Sequence, residues 1–337
     1  MTAPYVPLRN LSCFTMLEGA MEPKTIAERA AMLGFPAIAL TDRNGLYAAM
    51  PFSDSCAAKG VQPIVGAMLA VARPAEIGAL RQAQDERAAL DWLVLLAKDE
   101  LGYANLCKLV SMAHLDRPLS EEPHVAWSAL DGRSDGLIAL TAGSEGALAR
   151  LIADGQAPKA SDYLDRLQAL FPGRLYFELS RRGDSVEEAA ELALIELAYE
   201  RRLPLVATNP AAYTDPSFHA AHNALLCIAN SAYLESADRV TSSPDAWLKD
   251  GAAMAELFAD LPEAIANTPV IAQRCAIAAP KRQPILPRLS EDEDETLRRD
   301  AHAGLAERMQ RRGADGQEAY RERLDFELDV ITGMGFA

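Results

Sequence analysis

Short apolar runs alternate with segments in which apolar residues recur every three or four positions, and the alternation repeats along the first two-thirds of the chain. Runs of strand type are Tyr5 to about Leu11, Pro36–Leu40, Val61–Val71, Trp92–Ala97, Gly136–Thr141, Arg174–Leu179 and Leu203–Ala207. Helical spacing predicts a helix from Pro23 to Leu33, where Ile26, Ala27, Ala30, Ala31 and Leu33 recur, Pro23 suits a first turn and Gly34 suits the stop. The same spacing returns over Leu46–Lys59, Asp99–His114, Ser144–Ala153, Ala160–Leu170 and Ser185–Arg201. Trp92–Ala97 (WLVLLA) is apolar throughout, as a strand buried on both faces must be. Arg73–Leu90 is charged and weakly patterned and reads as a surface excursion, and Leu115–Trp127 reads as a loop. Strands alternating with helices predict the α/β class, either a (β/α) barrel or a doubly wound sheet, and periodicity does not separate the two.

The character changes after Pro216. Phe218–Asn230, Ala252–Phe258 and Leu261–Cys275 read as helices, and Ala278–Leu289 (AAPKRQPILPRL) reads as an extended proline-rich linker. The acidic run Glu291–Glu295 opens a helix whose later turns hold Arg298, Arg299, Arg308, Arg311 and Arg312, the order that complements a helix dipole. A last helix, Glu318–Ile331, ends at Gly333, and the apolar finish Gly335-Phe336-Ala337 reads as a cut chain. The expected division is a barrel domain over 1–277, including the helical segment 217–277, a linker over 278–290 and a helical region over 291–337.

The composition narrows the function. A net charge of −15 makes the chain as a whole repel phosphate backbones. Cys13, Cys56, Cys107, Cys227 and Cys275 are scattered, odd in number and without a CxxC pair, which argues for reduced, mostly buried thiols in a cytoplasmic protein and against a disulfide framework or zinc ribbon. No run approaches the ~20 apolar residues of a membrane span, so no membrane partner is expected. Gly132–Gly146 holds neither GxGxxG nor a P-loop, and Ser12 and Ser180 lack a neighbouring histidine and acid. The stretch of most interest is Ala37–Met50, where a strand breaks into Thr41-Asp42-Arg43-Asn44-Gly45 before a helix. In barrels of such units chemistry gathers at the carboxyl ends of the strands, and this turn offers an acid, a base and an amide but no histidine or cysteine.

Eight stretches, in order, carry a resemblance: PLRNLSCFTMLEGA (Pro7–Ala20), GFPAIALTDRNGLYAAM (Gly34–Met50), VQPIVGAML (Val61–Leu69), Trp92–Leu115, GLIALTAG (Gly136–Gly143), LYFELSRRG (Leu175–Gly183), LPLVATNPAAY (Leu203–Tyr213) and AHNALLCIA (Ala221–Ala229). Together they resemble the N-terminal PHP (polymerase and histidinol phosphatase) domain of the alpha subunit of bacterial DNA polymerase III. Tyr320–Ala337 resembles the segment that joins this domain to the polymerase palm. The resemblance implies a PHP-type distorted (β/α)7 barrel followed by a helical C-terminal extension. Active members hold a metal cluster at the strand ends, ligated by imidazoles and carboxylates, and hydrolyse phosphoesters or remove nucleotides.

At the positions that match those ligands this chain has Arg9, Leu11, Glu18, Arg43, Met68, Trp92, Gly143, Pro210 and Ala212, and of these only Glu18 can bind a metal. The resemblance therefore implies a dead site with no catalytic, cofactor or metal residues. The remaining histidines, His114, His124, His219, His222 and His302, fall elsewhere; His219 and His222 share a helix face and form a weak candidate metal pair. Arg9 and Arg43 place permanent cations where ligands are expected. Either one pairs with Glu18 or Asp42 and ties the strand ends together without metal, or both are solvated arginines at a barrel rim.

Two functions follow. One is a metal-free structural and docking module of a replicative polymerase, supporting the polymerase body and the proofreading exonuclease subunit among other replisome subunits. DNA is then engaged through the full protein, with magnesium at its polymerase site. The other is a working metal-dependent phosphoesterase or 3'-5' exonuclease with atypical ligands.

Overall fold

The structure, a computed structural model, describes residues 5–78, 90–282, 287–312 and 317–337. The greater part of the Arg73–Leu90 excursion and part of the proline-rich stretch thus lie outside the described residues. The chain forms two compact units, Met1–Pro280 and Lys281–Ala337, and the division falls within the proline-rich stretch.

The first unit is built on a sheet of seven strands: β1 (Ala37–Arg43), β2 (Gln62–Ala72), β3 (Leu90–Ala97), β4 (Val125–Ala126), β5 (Leu137–Leu140), β6 (Leu175–Leu179) and β7 (Leu205–Ala207). Their order is β1-β2-β3-β5-β6-β7, with the two-residue β4 beside the end of β2. Around them stand α1 (Pro23–Met32), α2 (Ala49–Ala58), α3 (Glu100–Leu115), α4 (Ala147–Ala153), α5 (Ala157–Leu170) and α6 (Ser185–Glu200), and α7 (His219–Ala229), α8 (Gly251–Leu257) and α9 (Pro262–Arg274) complete the unit.

The strands are buried on both faces, which is why their sequences are apolar runs and not alternations. Alternate residues nevertheless sort into two cores. Ala37, Ala39, Ile64, Met68, Val94, Leu96, Ile138, Leu140, Tyr176 and Val206 face inward with Val6 and Leu8. Ile38, Leu40, Ala67, Leu69, Leu93, Leu95, Leu137, Ala139, Phe177 and Leu205 face outward against the helices. The α9 helix lies at the other end from the β1–α2 turn. Gln62 at the start of β2 donates to the Ala272 carbonyl at 2.7 Å, and Asn267 donates to Leu205 at the start of β7, also at 2.7 Å. Pro269 within α9 has no N–H for the Ile265 carbonyl, which instead accepts from the Thr268 hydroxyl at 2.9 Å. That hydroxyl also accepts from the Val6 N–H at 3.0 Å and so fastens the start of the chain to the helix.

One expectation from the sequence is corrected. The predicted first strand, Tyr5 to about Leu11, is not regular. Ala39 donates to Pro7 and Thr41 to Asn10, both at 2.9 Å, so two residues of β1 are answered by three of this segment, as in a β-bulge. Pro7 also lacks an N–H for a ladder. On its other side the segment bonds the chain beyond β7, with Leu11 donating to Ala211 at 2.9 Å and Ala211 to Arg9 at 3.1 Å. It therefore closes the curled sheet without being a strand. Within the expected distorted barrel, β3 runs antiparallel to both β2 and β5. Leu90 opens β3 opposite Ala72, at the end of β2, so the chain turns back along its neighbour there. Smaller shifts have local causes: a turn occupies Leu46–Ala48 before α2, and a 3-10 turn occupies Gly143–Glu145 before α4.

The second unit is a helical pair, α10 (Glu293–Arg312) and α11 (Gln317–Gly333). Arg298 donates to Asp329 and to the Thr332 hydroxyl, each at 2.8 Å, and His302 pairs with Asp325 at 3.0 Å. Among the described residues no helix is long and apolar enough to cross a membrane.

Close backbone approach constrains Gly102 in the first turn of α3, where a Cβ would lie 1.8 Å from the Gly136 carbonyl oxygen. Gly102→Ala is expected to push α3 from β5 and cost about 1–3 kcal/mol, read as a lower urea midpoint with an unchanged slope. An unchanged midpoint would mean that α3 and β5 are not in this contact.

Candidate functional site

At the carboxyl end of the parallel strands, inward-facing positions converge on two guanidinium groups. Arg9, on the closing segment, is 2% exposed and lies over the end of the inner core. It donates through Nη1 to Glu178 Oε1 at 2.6 Å and through Nη2 to Glu145 Oε2 at 3.1 Å, and Nη2 also faces the Met68 sulfur at 2.9 Å. Glu178, on β6, is 1% exposed and also accepts from the Thr208 hydroxyl at 2.6 Å and the Ala142 N–H at 3.0 Å. A carboxylate so enclosed persists only when paired and hydrogen-bonded, and every contact here meets that need.

Arg43, the last residue of β1, reaches the other oxygen of Glu145 with Nη2. Its Nε stands 2.5 Å from Glu18 Oε2, an ion pair by distance in which the N–H is not aligned for a hydrogen bond. The guanidinium also lies over the Trp92 ring, 4.5 Å from its centroid. Burial alone works against the charge on Arg43, but Glu145 and then Glu18 overcome it and raise its pKa further. Burial likewise works against the charge on Glu145, yet the guanidinium of Arg43, and next that of Arg9, hold its pKa at about 2. Glu145 thus bridges the two arginines, and the chain Glu178, Arg9, Glu145, Arg43, Glu18 spans β6, the closing segment, the turn before α4, β1 and the loop after Ser12.

The structure brings together Arg9, Glu18, Arg43, Met68 and Trp92 of the positions singled out in the sequence, and Met68 is paired in register with Arg43. The solvated-arginine alternative is excluded by the burial of Arg9 and the pairs that both arginines make. The expected pairing of Arg43 with Glu18 is present. Asp42 is not a partner. Its carboxylate is 2% exposed and accepts from the Ser12 N–H and hydroxyl, both at 2.7 Å, and from the Thr15 hydroxyl at 2.8 Å. Burial raises its pKa, and the Ser12 and Thr15 bonds oppose that rise.

The other positions have backbone or packing roles. Leu11 is partly buried against the inner core. Gly143 has φ +52°, and a Cβ there would lie 2.9 Å from the Ser180 hydroxyl. Pro210 is buried, and Ala212 packs against Tyr213 and Ala246 and donates to the Ala246 carbonyl at 2.8 Å.

The two histidines of α7 are held by protein partners. His222 Nε2 donates to the Glu18 carbonyl at 2.6 Å and Nδ1 faces the Ser242 hydroxyl at 2.7 Å, while His219 Nε2 lies 3.0 Å from the Ser242 carbonyl. Both nitrogens of His222 are therefore engaged, Nε2 with the backbone of Glu18 and Nδ1 with Ser242, and burial lowers its pKa. Sequence reasoning missed Glu145 and Glu178. Glu178 could have been noticed as the one acid within the apolar run LYFEL, at an inward-facing position.

The PHP domain family matches residues 7–182, over half of the chain. The chain belongs to the PHP domain family. Relatives of this PHP chain include the DNA polymerase III subunit alpha of Caulobacter vibrioides, 40% identical over 337 residues, 98% of this chain and 29% of the relative. That of Rickettsia bellii is 33% identical over 350 residues, 100% of this chain and 29% of the relative. The PHP chain thus spans 29% of the length of these relatives. A two-domain protein from Bacteroides vulgatus, described as containing a predicted PHP-like metal-dependent phosphoesterase, is 14% identical over 63% of this chain and 52% of its own, with a TM-score of 0.37, too low to carry weight.

PHP members that depend on metal need donors with free lone pairs. The residues here do not fit such a group: guanidinium nitrogens have none to offer, each oxygen of Glu145 already accepts from an arginine, and Glu178 is enclosed by Arg9, Thr208 and Ala142. Among the described residues no group of three or more His, Cys, Asp or Glu side chains is placed to hold a metal ion.

Arg9→Met leaves Glu178 buried without a cation and is expected to cost about 3–5 kcal/mol, read as a melting temperature lower by roughly 6 °C or more. Adding Glu178→Gln removes the stranded charge and is expected to recover a large part of that loss; additive losses would contradict the pairing. The depressed pKa of Glu145 makes its contribution full above the unfolded value near 4.5 and lost as pH falls toward about 2. The stability gap between the wild-type chain and Glu145→Gln is therefore expected to narrow from pH 5 to pH 3, and a constant gap would contradict the ion pairs.

Proposed function

We propose that this chain is the PHP domain of a replicative DNA polymerase III alpha subunit and that the domain acts as a structural and docking module, without metal and without hydrolytic activity. Relatives named DNA polymerase III subunit alpha align over 98% or more of the chain, which supports the parent protein. DNA-directed DNA synthesis, with magnesium at its own site, then belongs to the greater length of that protein. The polymerase body and the proofreading exonuclease subunit, with other replisome subunits, are its partners in the cytoplasm. A segment with a net charge of −15 contributes little grip on DNA itself.

The observation that carries the inactive reading is the filled rim. Metal-assisted hydrolysis requires a cation that lowers the pKa of a bound water and keeps an open coordination position. Arg9 and Arg43 supply the positive charge here as groups that do not coordinate water as a Lewis acid or ionise it. What they do supply is mechanical: one arginine bridging Glu178 and Glu145, and one bridging Glu145 and Glu18, hold the strand ends to the loops above them. A rim held in this way presents fixed loops to a partner.

Metal analysis of the purified chain, with an assay on bis-(p-nitrophenyl) phosphate, tests the reading. The expected result is metal far below one equivalent and no turnover above buffer, with or without added manganese or zinc. About two or more equivalents of metal per chain, together with turnover, would replace the proposal by an active phosphoesterase.

A further inference from the structure

The loop 13–20 above the rim is firmly held, yet its outer side is apolar. Ser12 and Thr15 donate to the Asp42 carboxylate, the Glu18 carbonyl accepts from His222 Nε2 at 2.6 Å, and Ala20 donates to the Ala212 carbonyl at 2.8 Å. The loop doubles back so closely that a Cβ on Gly19 would lie 2.0 Å from the Ser12 carbonyl oxygen. Phe14, Met16 and Leu17 are nevertheless 44%, 80% and 39% exposed, and Leu17 stands at φ +64°, where a bulky side chain is strained. A second loop, 116–123, is clipped beside it. Thr15 Oγ1 accepts from the Arg43 N–H at 3.1 Å, and the next residue, Asn44, donates through Nδ2 to the Pro123 carbonyl and accepts through its own carbonyl from His114 Nε2, both at 2.7 Å. This second loop carries the exposed Leu119 and three exposed acids, Asp116, Glu121 and Glu122, against a single base, Arg117. On the other flank Glu22 is exposed, and after burial its charge is the next cause that pushes the Cys13 thiol up.

We propose that the loops 13–20 and 116–123 form a docking face for a basic, amphipathic peptide segment of a partner protein, with its apolar side chains on Phe14, Met16 and Leu17 and its cations toward the acids on either side. The inference rests on the docking reading above and gives it a place and a chemistry. Three neighbouring apolar side chains left in water on a loop this tightly bonded gain nothing from the fold of the chain itself, and such patches mark surfaces that another molecule covers. Because the loop is already ordered, a partner has little of its entropy to overcome, and the unbranched Met16 adapts to the shape it meets. The acids choose the partner. They favour a cationic segment, speed its approach to a chain of net charge −15, and disfavour an acidic peptide or a nucleic acid at the same face.

Fluorescence anisotropy of a short labelled peptide with leucine and lysine at helical spacing, titrated with the whole chain, tests it, beside a control peptide in which glutamate replaces lysine. Wild-type protein is expected to bind the lysine peptide with a dissociation constant on the order of ten micromolar and to leave the glutamate peptide free. Phe14→Ser combined with Met16→Ser is expected to weaken binding roughly tenfold or more. Glu121→Gln combined with Glu122→Gln is expected to weaken it about threefold and to flatten its dependence on salt. Both pairs are exposed, and circular dichroism checks that each variant is folded. No binding by the wild-type chain, or equal binding by the folded Phe14→Ser, Met16→Ser chain, would overturn the proposal. In that event, binding of the proofreading exonuclease subunit of the same bacterium to the chain would leave the docking reading in force at another face, and its failure to bind would remove that reading as well.

Discussion

The pairing of Arg9 with Glu178 is the contact on which the rest of the barrel end depends. Both are all but excluded from solvent, 2% and 1% exposed, and they come from segments 169 residues apart. Neither charge could be kept in that place alone, because an isolated buried ion costs far more than a domain's net stability can absorb. Each therefore requires the other, and their meeting fixes the closing segment against β6. The same segment bonds β1 on one side and the chain beyond β7 on the other, so closure of the sheet and satisfaction of the charges are one event.

From that pair the network extends outward with increasing exposure. Glu145 takes both arginines, Arg43 takes Glu145 and Glu18, and the Glu18 side chain is 45% exposed at the edge. Coulombic attraction counts for more at the inner, poorly solvated end and less at the outer one. His222 steadies the outer end through the Glu18 carbonyl, and Asp42 holds the same loop at Ser12 and Thr15. Two fixed cations of the chain itself thus hold three carboxylates at the strand ends, which gives cohesion there.

Much of this was legible in the sequence, for identifiable reasons. Pro23 and Gly34 bracket α1, and the unbroken apolar runs mark strands covered on both faces. Direction is another matter, since a run such as WLVLLA reads the same to its neighbours either way, and so the antiparallel β3 was hidden. The bulge at Pro7–Asn10 was hidden because it is defined by what β1 offers opposite. Arg9 and Arg43 stood out only through the resemblance, which marks those positions as unusual. Their partners were harder. Asp42 was a candidate because it precedes Arg43, but neighbours on a strand point to opposite faces, and Asp42 turns to Ser12 and Thr15 while Arg43 turns to Glu145. Glu145 and Glu178 lie far from either arginine in the chain, where no periodicity links them.

The most direct measurement is anomalous diffraction from crystals of the chain soaked in excess manganese. The account predicts no anomalous peak among Glu18, Glu145 and Glu178, with the Arg9 and Arg43 guanidinium groups in their density between those carboxylates. Manganese ions bound at the strand ends, with either guanidinium displaced, would contradict it.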